Sequence, residues 1–159
     1  MMMSKTKWVF GVAGVFVIGA AAVLYSTMLG THEAFIDPAD QTRVMQGKVI
    51  YANNCAACHG ASLQGQPNWR DRMPNGRLPA PPHDKTGHTW HHPDAMLVNM
   101  IKNGLVPGKT APPGYVSDMP AFGAVLSDED ITAVIAYIKS TWPLKVLEAQ
   151  KEVTLQRQD

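Results

Sequence analysis

A mostly α-helical chain with one membrane-spanning helix at its N-terminus is predicted from three observations on this 159-residue sequence. Apolar residues recur at helical spacing near 38–53, 93–102 and 127–142, and no run alternates apolar and polar residues as a half-buried strand does. Twelve prolines and thirteen glycines point to long connecting loops. The stretch from Trp8 to Leu29 holds no charged residue. This length suits one modest domain with accessory segments. A net charge of +1 and the lack of a basic run argue against a nucleic-acid partner.

The elements follow in order. Residues 1–30 read as a signal anchor: as a helix, Trp8–Leu29 would extend roughly 33 Å, enough for a bilayer core of about 30 Å. Lys5 and Lys7 precede it and Glu33, Asp37 and Asp40 follow, so the N-terminus is expected in the cytoplasm. The rest of the chain is then expected outside the inner (cytoplasmic) membrane, on the periplasmic side. A cleaved signal peptide is the alternative, but the apolar run is long for one and ends in no small-x-small site. Residues 31–38 read as a short linker, and a domain is expected over 39–143. Its first helix is expected from Pro38, capped by Asp37, to about Asn53, with Val44, Gly47, Ile50 and Tyr51 on one face.

A polar loop over roughly 60–90 follows, long enough to suggest a functional role. A helix from Pro93 to about Lys102 is stopped by Gly104. The clearest helix begins at a capping-box pattern, Ser127 and Asp130, presents Ile131, Val134, Ile135 and Ile138 on one face, and stops at Pro143. The polar tail, 144–159, reads as a further surface helix.

The chemistry lies in "YANNCAACHG", which holds the only two cysteines, Cys55 and Cys58, directly before His59. A thioredoxin-like redox pair would follow a strand, and none precedes this motif. A structural zinc site needs four ligands, and no second cysteine pair or spaced histidine pair completes one. Cys-x-x-Cys-His is instead the attachment pattern of covalent haem c: two thiols reach two vinyl groups of one porphyrin and the next imidazole faces the iron.

Three segments then resemble the class I cytochromes c over roughly residues 40–142: "GKVIYANNCAACHG", "SDMPAF" and "LSDEDITAVIAYIKSTW". The resemblance implies a fold of three to five helices around one covalent haem. It implies Cys55 and Cys58 as thioether anchors, His59 as proximal iron ligand and Met119 as distal ligand. It also implies a close crossing of the first and last helices at Gly47 and Tyr137, and a proline carbonyl bonded to the proximal histidine, for which Pro79, Pro81 and Pro82 all qualify. Met119 is followed by Pro120 in a loop, whereas Met45, Met96 and Met100 fall on helices, where core packing is the plainer role. Arg70, Arg72, Arg77, Tyr115 and Trp142 are candidates for bonding the haem propionates, and Trp90 for a pocket wall.

The segment "PPHDKTGHTWHHPD" departs from a minimal cytochrome by gathering His83, His88, His91 and His92. Helix capping and loop orientation are the plainer roles; a copper or zinc site, or a second axial imidazole, are the alternatives.

The function expected is that of a membrane-tethered electron carrier between respiratory components, not an enzyme by itself, with redox proteins such as a respiratory complex or terminal oxidase as partners. The alternatives are a fixed subunit of a larger oxidoreductase and, from another class, a haem or metal sensor using the histidine-rich loop.

Overall fold

The computed structural model describes residues 35–156. The chain divides into units 1–33 and 34–159, and the described residues belong to the second. The predicted span, Trp8–Leu29, lies outside them, and no described helix is long and apolar enough to cross a membrane. The helices are α1 (Gln41–Asn54), α2 (Ala56–His59), a 3₁₀ turn (Thr89–His91), α3 (Asp94–Asn103), α4 (Asp128–Ser140) and α5 (Leu144–Gln156). Among the described residues there is no strand, only an isolated bridge between Pro107 and Ala111.

α1 begins three residues after the expected start. Asp40 is its N-cap, accepting from the Arg43 N–H at 3.1 Å. Asp37 caps a preceding turn instead, accepting from the Ala39 N–H at 2.9 Å. Gly47 and Tyr51 bury the expected face of α1, whereas Met45, read from its helical position as a core residue, is 70% exposed.

α1 crosses α4 at Gly47. A Cβ there would lie 1.8 Å from the Ala133 carbonyl oxygen and 3.0 Å from the Tyr137 Cβ, so only glycine admits the approach. Tyr51 and Tyr137 fill the flank with ring centroids 5.4 Å apart.

α4 is the central element. Ser127 Oγ accepts from the Asp130 N–H at 3.1 Å while Asp130 Oδ2 accepts from the Ser127 N–H at 3.2 Å, completing the capping box with Asp in place of Glu. These bonds hold the Asp130 carboxyl below its ordinary range. The buried face of α4 serves two apolar clusters. Ile131, Ile135 and Ala136 pack with Ile36 and Leu97. Val134 and Ile138 pack with Tyr51, Leu63 and Trp142.

The tail is helical, as expected, but what it buries is polar. Gln150 and Thr154 are enclosed because α5 covers the N-terminus of α3, where Asp94 meets Lys139. Lys139 Nζ lies 2.9 and 2.8 Å from the two Asp94 oxygens. Gln150 Nε2 donates to Asp94 Oδ1 at 2.7 Å, and the Ile36 N–H donates to Asp94 Oδ2 at 2.6 Å. The Asp94 N–H is taken by Thr154 Oγ1 at 3.2 Å, not by a neighbouring histidine. Lys139 Nζ also sits 3.6 Å above the Phe35 ring. Phe35 and Ile36, within the segment expected as linker, are thus packed into the domain.

Candidate functional site

The two thiols and the imidazole are set by one helical turn. The Cys55 N–H closes α1 on the Tyr51 carbonyl at 2.9 Å, and the His59 N–H bonds the Cys55 carbonyl at 2.9 Å. Three residues apart on such a turn, Cys55 and Cys58 share a side. Cys58 is exposed and Cys55 half-buried, and no disulfide joins them. Before any group is attached, burial, with a smaller contribution from Cys58, pushes the Cys55 thiol up to about 11. Tyr51 Oη donates to the Gly60 carbonyl at 3.0 Å, fixing the point where the chain leaves the turn.

The following loop is folded back to serve His59. The Gly65 N–H bonds the His59 carbonyl at 2.7 Å, the Gln66 N–H bonds Ala80 at 2.9 Å, and the His83 N–H bonds Leu63 at 2.8 Å. Segments 60–66 and 80–84 are thereby clamped together. Gly65 permits it: its φ is +68°, and a Cβ there would lie 2.5 Å from the Pro82 nitrogen.

The clamp presents the Pro81 carbonyl to His59 Nδ1 at 2.8 Å, which selects Pro81 from the three candidate prolines. With Nδ1–H donating, Nε2 carries the lone pair, the state in which imidazole binds a metal. His59 is only 8% exposed, and burial lowers its pKa despite the Pro81 bond, so the ring is neutral at pH 7.

Met119 is half-buried on a separate loop, and no hydrogen bond or ring contact joins it to the Cys-x-x-Cys-His turn among the described residues. That loop is fastened on both sides of it. Asp118 pairs with Arg77. The Met119 N–H bonds Ser117 Oγ at 3.0 Å, and downstream the Phe122 and Gly123 N–H groups bond the Ile101 and Lys102 carbonyls, each at 2.9 Å.

Most donors expected for propionates are engaged elsewhere. Arg77 is committed to Asp118, Arg72 donates to the Gly76 carbonyl at 2.6 Å, and Arg70 lies 4.0 Å over the Trp69 ring. Trp142 Nε1 donates to the His83 carbonyl at 2.8 Å. Trp90, read from sequence only as a wall, packs beside the Tyr51–Val134 cluster with its Nε1–H buried and without a hydrogen-bond partner. An orphaned indole donor in an apolar wall is suited to a carboxylate of a bound group. Sequence gave no hint, because a tryptophan in a loop does not declare where its N–H points.

Among the four clustered histidines, His88 lies 4.9 and 4.8 Å from the His91 and His92 ring centroids. Among the described residues no three His, Cys, Asp or Glu side chains are arranged to hold a metal ion. His83 stands apart from the other three and stacks on His59, centroids 4.0 Å apart. A ring packed face to face with the proximal imidazole is not placed to ligate the iron from the opposite side.

Two thiols on one turn, an oriented imidazole with its Nε2 lone pair available and a buried unpaired donor fit a covalently attached haem. Residues 44–142 match the family model described as Cytochrome c. The cbb3-type cytochrome c oxidase subunit FixP of Azorhizobium caulinodans is 33% identical over 98 residues, 60% of this chain and 28% of that protein. The gluconate 2-dehydrogenase cytochrome c subunit of Pantoea cypripedii is 27% identical over 118 residues, 71% of this chain and 24% of that one. Cytochrome c6 of Picosynechococcus sp. is 32% identical over 112 residues, 70% of this chain and 85% of that one. The chain thus spans only 28% and 24% of the first two relatives. No solved structure matches it significantly. The match over residues 44–142, more than half of the chain, shows that this protein belongs to the cytochrome c family and carries covalently bound haem c.

Proposed function

We propose that this chain is a membrane-tethered, single-haem electron carrier on the periplasmic face of the inner membrane. In this reading Cys55 and Cys58 would hold the haem through thioether bonds, and His59 Nε2 and the Met119 thioether would bind its iron. Haem c supplies a one-electron Fe(II)/Fe(III) couple; the chain sets its ligands, polarity and access. The observation that carries the reading is His59 itself, buried between its two cysteines' turn and the Pro81 carbonyl at 2.8 Å. With His59 and Met119 both holding the iron, no position would be left for substrate, so in this reading the chain would transfer electrons without being an enzyme by itself.

A second reading, a fixed subunit of a larger oxidoreductase, is favoured by two observations. FixP and the gluconate dehydrogenase subunit are named as parts of such complexes. The leash is also shorter than the sequence suggested. With Ile36 buried and bonded to Asp94, only residues 30–34 lie between the predicted span, Trp8–Leu29, and the packed Phe35, a reach of about 17 Å.

Extraction of native membranes in mild detergent, a native gel and a haem stain test both readings. A haem band running alone is the expected result for a tethered carrier, and co-migration with oxidase or dehydrogenase subunits is the result for a fixed relay. Recovery of the chain only in the soluble fraction would contradict both.

A further inference from the structure

His83 is held by its backbone and by its ring, with one face laid on His59. Its N–H bonds the Leu63 carbonyl at 2.8 Å, and its own carbonyl accepts from Trp142 Nε1 at 2.8 Å. Its Nδ1 lies 2.8 Å from Thr89 Oγ1, and the Tyr51 ring meets it edge-on at 6.1 Å. What remains is the flat face, which lies on the His59 ring with centroids 4.0 Å apart and planes 27° apart. The bonds with Leu63 and Trp142 are to the His83 backbone, so neither requires histidine; the ring itself is held by Thr89 and laid on His59.

We propose that His83 is a positioning residue for the proximal ligand: its stacked π face orients the His59 ring and lowers the reduction potential. The inference rests on His59 being the iron ligand. Two effects follow from the contact. A parallel neighbour, together with the Pro81 bond, restricts rotation of the His59 ring about its metal-binding axis. The His83 face also carries the negative lobe of an aromatic quadrupole, and it lies against a ring that gains positive character when the iron it binds is oxidised. The stack therefore favours the oxidised state over the reduced one.

The test uses the purified holoprotein and three variants, His83→Leu, His83→Phe and Thr89→Val, in potentiometric titrations and in NMR of the oxidised form. His83→Leu is expected to raise the reduced-to-oxidised ratio at fixed solution potential about threefold and to shift the His59 ring and haem-methyl resonances. His83→Phe, which keeps a face over His59, is expected to restore a ratio close to that of the parent. Thr89→Val, which frees the His83 ring without touching the stack's chemistry, is expected to broaden or shift the same resonances. A ratio unchanged in His83→Leu with His59 still bound would overturn the proposal alone. So would a ratio in His83→Phe displaced as far as in His83→Leu. Should His83→Leu fail to load haem, His83→Phe and Thr89→Val decide. A parent protein whose spectrum shows no imidazole ligand would overturn the ligand assignment and this inference together.

Discussion

Lys139 is fully buried, and its ammonium is satisfied by both oxygens of Asp94 and by the Phe35 ring. Such a pair is costly to assemble and more costly to break, because the survivor is a buried charge. Lys139→Met is therefore expected to lower the unfolding free energy by about 3–5 kcal/mol, read from urea titrations of the holoprotein. Burial outweighs Asp94 and pulls Lys139 from 10.5 down to about 8. Between those values the unfolded chain binds the extra proton, so this residue makes stability rise with pH above about 8 and withdraws that contribution as pH falls through it. Tyr51 acts in the opposite sense above pH 10, since burial raises its phenol beyond that ordinary value and favours the proton in the fold. The expected signature is a stability that climbs from about pH 8 to 10 in the parent and a flatter profile in Lys139→Met. At this scale the sequence was partly legible. Cys55, Cys58 and His59 declare themselves by spacing, whereas Asp94 and Lys139 each suit the helix end where they stand. That local adequacy hides a pairing 45 residues apart.

Between elements, the contact of α1 with α4 is the tightest in the fold. The atom facing Gly47 is a backbone carbonyl, which no rotamer change can move aside. Gly47→Ala is expected to cost about 1–3 kcal/mol, seen as a lower denaturation midpoint with the haem spectrum retained. The α4 face and the Ser127–Asp130 cap were readable from periodicity and from a three-residue pattern, whereas the crossing came from the family resemblance and not from the helix pattern. The start of α1 and the burial by α5 were not readable. The first turned on which of two aspartates, Asp37 or Asp40, took the capping bond, and both fit the pattern. The second turned on Gln150 reaching Asp94 across 56 residues, so a helix that looks like a solvated tail closes a polar core.

At the scale of the described domain, the proline- and glycine-rich loops are held by bonds to distant segments rather than left as simple connections. Segment 60–84 is clamped so that Pro81 and His83 address His59, and the loop bearing Met119 is fastened through Asp118, Phe122 and Gly123. Which proline and which histidine would face His59 could not be read from a sequence offering several of each. The choice is made by backbone bonds between distant segments.

In the proposed function His59 and Met119 would hold the iron from both sides and leave no place for a further ligand during single-electron transfer. Adding carbon monoxide to the dithionite-reduced holoprotein, and to Met119→Ala, tests it most directly. The parent spectrum is expected to stay unchanged on mixing while Met119→Ala shifts at once to a carbonyl-bound form. Immediate binding by the parent, or a Met119→Ala protein as inert as the parent, would contradict it.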